Sequence, residues 1–138
     1  LGFFIPKRRL GFATDIPANA LIPNIFFYEA MTIASAVAWA AELSPPPRRL
    51  LVYSDSLDSV EMFHSLRVRE GYNELLLFVA GLLIDNRISL RVCHVAGVND
   101  PVADALSRAL FDLARQLVPG IIIGHFSPPI CALGEEKK

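Results

Sequence analysis

Cysteine is scarce: Cys93 and Cys131 are the only two among 138 residues. They form no Cys/His spacing of the metal-binding type, and their number fits a reducing, intracellular setting. Cys93 sits in an alternating apolar run and reads as a small buried hydrophobe. An excess of one charge is also missing. Thirteen Lys and Arg stand against 14 Asp and Glu, for a net charge of -1. That balance excludes a broad basic footprint for nucleic acid, so any such contact rests on local clusters or on a neighbouring domain. No basic segment leads into an apolar one at the start, so no signal peptide is expected. The first residue is Leu1, which reads as part of something longer. No internal repeat is present. Ile25 to Leu43 is long enough to span a bilayer but carries Glu29, and Glu74 to Asp85 is too short. Both read as buried helices of an α/β core, with no membrane partner.

What is present is apolar and ordered. The hydrophobic fraction is 53% and the charged fraction 20%, which is a globular composition. The length suits one domain with a core that needs no disulfide. Leu1 to Pro6 and Leu10 to Thr14 read as two strands joined by a turn at Lys7-Arg8-Arg9, a hairpin. Asp15 to Pro23 is a loop by its prolines. Asn24 is a plausible cap for a helix from Ile25 to Leu43, apolar nearly all round, whose Ala36 and Ala40 permit close approach to a sheet. Ser44-Pro45-Pro46-Pro47 ends it. Arg48 to Ser54 is a strand whose continuous apolar centre predicts cover on both faces. Asp58 with Glu61 resembles a capping box for a helix through Leu66. A second helix follows over Tyr72 to Asp85, then an alternating strand over Ile88 to Val95. Asp100-Pro101 opens a last helix running to about Leu117. From residue 119 to 138 the chain reads as a linker. The order β-β-α-β-α-α-β-α predicts an α/β sheet flanked by helices.

Three acids occupy unusual places. Glu29 is the only charge in its helix before Glu42. It is either a carboxylate that burial makes costly unless paired or metal-bound, or an exposed group near the helix start that benefits from the macrodipole. The pattern weighs these equally. Asp55 directly follows a buried strand, at the end where α/β sheets bind ligands. Capping is the plainer role, but Asp58 already fills it, so the balance tips toward function. Asp104 lies in the first turn of the last helix, where the macrodipole and Arg108 four residues on explain it structurally. Together the three acids could meet at one sheet edge. Clustered carboxylates repel and call for cations. Hard oxygen donors suit Mg²⁺ or Mn²⁺, and two such ions can drive phosphodiester hydrolysis.

Three segments sharpen this. Phe27-Tyr28-Glu29-Ala30, Tyr53-Ser54-Asp55-Ser56 and the run from His94 to Arg108, above all Val102-Ala103-Asp104-Ala105-Leu106-Ser107-Arg108, resemble in order and spacing the ribonuclease H domain of retrotransposon reverse transcriptases, fungal elements in particular. The likeness covers roughly residues 1 to 118, with residues 119 to 138 similar to a connection toward a downstream region. It implies a ribonuclease H-like mixed sheet flanked by helices, part of a reverse transcriptase polyprotein. The implied activity is endonucleolytic cleavage of RNA in an RNA–DNA hybrid with two divalent ions, Mg²⁺ or Mn²⁺. Glu29, Asp55 and Asp104 are then the catalytic and metal-binding acids, Glu29 and Asp55 on one ion and Asp104 on the other. Ser54, Ser56, Arg67 and Arg69 are candidates for substrate backbone contact, with strand-turn chemistry and a solvated face as their plainer roles.

The pattern departs from the family in two ways. The family's first strand, central in its sheet and bearing an aspartate that bridges both ions, has no counterpart. The chain as given is therefore expected not to cut alone, and the neighbouring strands to carry unpaired edges. The mobile histidine of many cellular members is also missing: the loop reads Gly97-Val98-Asn99, and His94 sits earlier, as a structural residue. The rival readings are a non-catalytic interaction or connection domain of the same fold and a degenerate fragment of a retroelement. The three retained acids favour the enzyme; the missing strand favours the fragment.

Overall fold

A computed structural model of the chain describes residues 1–14, 25–65, 73–96 and 101–126. Within them, ten elements alternate in an α/β order. Strand β1 (Gly2–Ile5) turns through a short 3-10 segment at Pro6–Arg8 into β2 (Leu10–Ala13). The two pair antiparallel, with Phe3 opposite Phe12 and Ile5 opposite Leu10. Arg9 takes the left-handed conformation that closes the turn (φ 48), so the expected hairpin is present. Helix α1 (Ile25–Ala41) follows, then β3 (Arg49–Ser54), α2 (Leu57–Ser65), α3 (Asn73–Asn86) and β4 (Ser89–His94). The last elements are α4 (Pro101–Ser107), α5 (Phe111–Leu117) and β5 (Ile122–His125).

Helix α1 is the centre of the core. Ala30, Met31, Ile33, Ala34, Val37 and Ala40 are buried along it. All but Ala40 join Val60, Met62 and Phe63 of α2, Leu75, Leu76 and Val79 of α3, and Val92 of β4 in one cluster. The near-absence of polar groups on α1 is explained by this burial on several sides. A second, smaller cluster lies on the other face of the hairpin, where Ala105 and Leu106 of α4 and Ala114 of α5 meet Ala13, Phe4 and Ile123. The first face of the hairpin reaches α1 through aromatic rings. Phe3 stacks on Phe12 at 4.9 Å, Phe126 meets Phe3 edge-on at 5.1 Å, and Phe12 lies 5.9 Å from Trp39. The guanidinium of Arg8 sits 5.7 Å over the Trp39 ring, a cation–π contact.

The strands form two sheets. One has the order β1-β2-β5 and the other the pair β3-β4. β5 runs parallel to β2 and β4 parallel to β3, so the fold is a mixed α/β arrangement with helices on both sides of the hairpin sheet.

Four sequence expectations are corrected. The segment after residue 118 is not all linker, because Ile122–His125 forms β5, with Leu10 opposite Ile122. The last helix is broken in two, α4 and α5, by Ala109 at φ 58. Strand β3 is covered on one face only: Leu51 and Tyr53, alternate residues on its other face, are 51% and 58% exposed. Cys93 is half-buried rather than buried. Asn24, Asp100 and Cys131 lie outside the described residues. Among the described residues no helix is long and apolar enough to cross a membrane.

Candidate functional site

A slot of about 1000 Å³ runs between β1 and β3, at the upper end of ordinary ligand-site volumes. Its rims are residues 1–6 on one side and 50–57 on the other. Its floor is α1, through Glu29, Thr32, Ile33, Ala36 and Trp39, a spacing of three and four residues that puts them on one helical face. The first turns of α4 add Ala103 and Asp104, with Ser107 and Arg108 behind them. Close packing seats α4 here. Gly2 lies so near it that a side-chain carbon would come within 2.7 Å of the Ser107 backbone nitrogen.

Glu29, Asp55 and Asp104 all line this slot. Glu29 is the fifth residue of α1, past the first turn, so the macrodipole does little for it. It is half-buried, and its carboxyl is held above the usual glutamate range. Burial is the main cause, followed by the negative charge of Asp55. The Leu1 ammonium pulls the other way, and Asp104 adds a further upward push. Asp55 is exposed immediately after β3. Asp104 is half-exposed and accepts a 3.2 Å hydrogen bond from Nε of Arg108, an i,i+4 ion pair. The structural role for Asp104 is thus present beside any other; such surface pairs contribute only a few tenths of a kcal/mol, about 0.3–0.5.

The serines have firm local roles. The Ser54 hydroxyl accepts from the Ser56 amide at 3.2 Å. Ser56 precedes the first residue of α2; its Oγ accepts from the Ser59 amide at 3.3 Å, and its hydroxyl donates to Ser59 Oγ at 2.9 Å. This makes Ser56 the cap of α2, a correction to the sequence reading that began the helix at Asp58. Both serines are buried, and their hydroxyls serve the strand-to-helix turn. Asp55 is held between them in a fixed position with no capping duty. Arg67 and Arg69 lie outside the described residues. His94 is exposed at the end of β4 and is not part of the slot lining.

Sequence reasoning missed Thr32 and Trp39 as part of the slot, although their helical spacing from Glu29 was the available signal. It also missed Arg8, whose role depends on the tertiary approach of Trp39.

The donor chemistry suits a hard divalent cation: three carboxylates, one of them half-buried and forming no ion pair with any described residue. The spacing is looser than the chemistry. Among the described residues no three His, Cys, Asp or Glu side chains come close enough to hold one ion. The acids therefore stand along one end of a slot rather than around a closed coordination shell. No family model, curated protein or solved structure matches the chain.

Proposed function

We propose that the chain is a metal-dependent phosphodiester hydrolase domain of the ribonuclease H type, acting on the RNA strand of an RNA–DNA hybrid within a reverse transcriptase polyprotein. One observation carries this reading. Glu29, Asp55 and Asp104, which the sequence motifs single out, line the same slot, and Asp55 and Asp104 both act on the charge of Glu29. Carboxylates that repel one another across a shared cavity gain from a cation between them. Glu29 and Asp55 would hold one Mg²⁺ or Mn²⁺ ion and Asp104 a second. Bound ions of this kind supply Lewis acidity and an activated water. The chain's own contribution is placement: α1 presents Glu29, the serine-braced turn presents Asp55, and α4, seated on Gly2, presents Asp104. The ion pair to Arg108 orients Asp104 until a cation competes for it.

The test is cleavage of an end-labelled RNA–DNA hybrid with Mg²⁺ or Mn²⁺, using this chain and a version extended upstream of Leu1. Cutting by the extended chain that disappears with Asp55→Asn, with Glu29→Gln and with a chelator is the expected result. Cutting that survives both Asp55→Asn and chelation refutes it. A thermal melt gives an independent readout, because an ion that binds only the folded state raises Tm by mass action. The open spacing of the acids favours one alternative, a non-catalytic domain of the same fold. That reading predicts no gain in Tm with either ion in any version of the chain.

A further inference from the structure

A second cavity, of about 610 Å³, lies at the starts of β3 and β4. Arg49, Ser89 and Arg91 line it together with Leu51 and Phe63. In the parallel pair, Arg49 stands opposite Ser89 and Leu51 opposite Arg91. Side chains alternate along a strand, so these four residues share one face of the sheet, and all four are exposed. Paired strands lie about 4.8 Å apart and two residues advance about 6.6 Å, which sets the Arg49 and Arg91 backbones about 8 Å from each other. Both side chains are long enough to converge on one ligand group beside Ser89.

Two further arginines adjoin the cavity along the chain. Arg48 precedes Arg49, and its carbonyl accepts from the Ser89 amide at 2.8 Å. Arg87 ends α3 in the left-handed conformation (φ 55). Its amide donates to the Ile84 carbonyl and the Ile88 amide to the Leu83 carbonyl, the Schellman pattern that fixes the path into β4. Across residues 48–54 and 85–94, four arginines stand against a single acid, Asp85. None of the four forms an ion pair with a described residue, whereas Arg108 and Arg115 each hold an aspartate. In a chain of net charge -1, this is a local surplus of positive charge around a cavity.

We propose that the cavity binds a small organic phosphate of the mononucleotide kind. Arg49, Arg91 and Ser89 hold the phosphate, and Leu51 and Phe63 receive the flat or apolar body. A guanidinium fork donates two parallel N–H groups to phosphate oxygens, and the Ser89 hydroxyl supplies one donor more. Two neighbouring cations repel each other; a dianion offsets both, whereas a monocarboxylate offsets one. The volume lies in the range of small-molecule sites, so inorganic phosphate alone leaves most of it to water. A duplex keeps its bases stacked inside and leaves the apolar walls uncovered. From Arg49 to Asp55 the chain advances six residues, about 20 Å of strand. The site is therefore separate from the acids of the slot and independent of the hydrolase reading.

The experiment titrates the full chain with AMP, adenosine and inorganic phosphate by calorimetry, with a chelator present so that no divalent ion occupies the slot. The expected result is saturation of one site by AMP, with adenosine and inorganic phosphate each at least about tenfold weaker. Arg49→Gln and Arg91→Gln should each weaken AMP by about tenfold or more, and Arg115→Gln should leave it unchanged. No saturation by about 10 mM AMP overturns the proposal. Equal affinity for AMP and either of the other two probes does the same, as does AMP binding that both glutamine variants leave intact. A short DNA duplex that displaces AMP assigns the arginines to a nucleic-acid backbone and also overturns it. AMP binding without cleavage in the hybrid assay retains this site and removes the hydrolase.

Discussion

The seating of α4 on the hairpin can be tested at two glycines that differ in what they touch. A side-chain carbon on Gly2 would lie 2.7 Å from the Ser107 nitrogen, 2.8 Å from the Leu106 carbonyl carbon and 2.9 Å from Leu106 Cβ. One on Gly11 would lie 2.8 and 3.2 Å from the two Leu106 Cδ atoms and 3.2 Å from the Ile121 Cδ1. The first clash is with backbone and Cβ, atoms that alanine keeps; the second is with atoms that Leu106→Ala removes. Each Gly→Ala change alone should cost about 1–3 kcal/mol by overpacking. Leu106→Ala should cost about 2–5 kcal/mol, since Leu106 is fully buried. The double variants separate the two sites. With Gly11→Ala the combined loss should fall short of the sum by about 1–2 kcal/mol, because the added methyl enters the space the leucine leaves. With Gly2→Ala the losses should add within about 0.5 kcal/mol. Urea denaturation of the six chains, wild type included, measures all of this, and each kcal/mol is worth about 4 °C in a melt. Were α4 not pressed on the strands, alanine would match or exceed glycine in stability, because glycine is a poor strand residue. That outcome, or equal coupling at both glycines, refutes the geometry that seats α4, and with it Asp104, on the slot.

Other consequences follow from the same slot and its turn. Because Glu29 holds its proton to a higher pH in the folded chain than in the unfolded one, stability falls as pH rises from the ordinary glutamate range through the raised value. Glu29→Gln should thus melt higher than wild type at about pH 8, and the difference should vanish below about pH 4. A constant difference across that range would exclude burial of the charged carboxylate, and with it the repulsion from Asp55 and Asp104, as its cause. Ser56→Ala removes the cap of α2 and the hydroxyl partner of Ser59. It should cost about 1–2 kcal/mol in denaturant, whereas Asp55→Asn should cost little.

The α/β order and the hairpin were readable from residue type because local chemistry decides them: Pro6 and the Lys7-Arg8-Arg9 turn between two apolar runs leave few alternatives. The break at Ala109 left no trace, since alanine rarely signals a left-handed residue. β5 did leave one, in Ile121-Ile122-Ile123, but Pro119 and Gly120 before it and Pro128 and Pro129 after it gave the stretch the look of a linker. In β3 the continuous apolar centre implied two covered faces. Leu51 and Tyr53 stand on alternate positions and share the face that is left exposed. Two cap-type residues, Ser56 and Asp58, lie within one turn, and only the backbone path decides between them. The acids were visible one at a time, as misplaced charges in Glu29 and Asp55. Their shared slot depends on how α1, β3 and α4 meet, which no local pattern records.

The pairing of β2 with β5 ties the hairpin to the far end of the chain. Arg9 donates to the Pro119 carbonyl across 110 residues of sequence, and Ile122 donates back to the Arg9 carbonyl. During synthesis the outer edge of β2 must wait, open, until the segment some 110 residues further on has emerged. Contacts this distant in sequence slow folding, and an edge left bare for that time is a template for unwanted association. The four residues of β5 thus act late, as a clasp that closes the hairpin sheet once the helices between have been made.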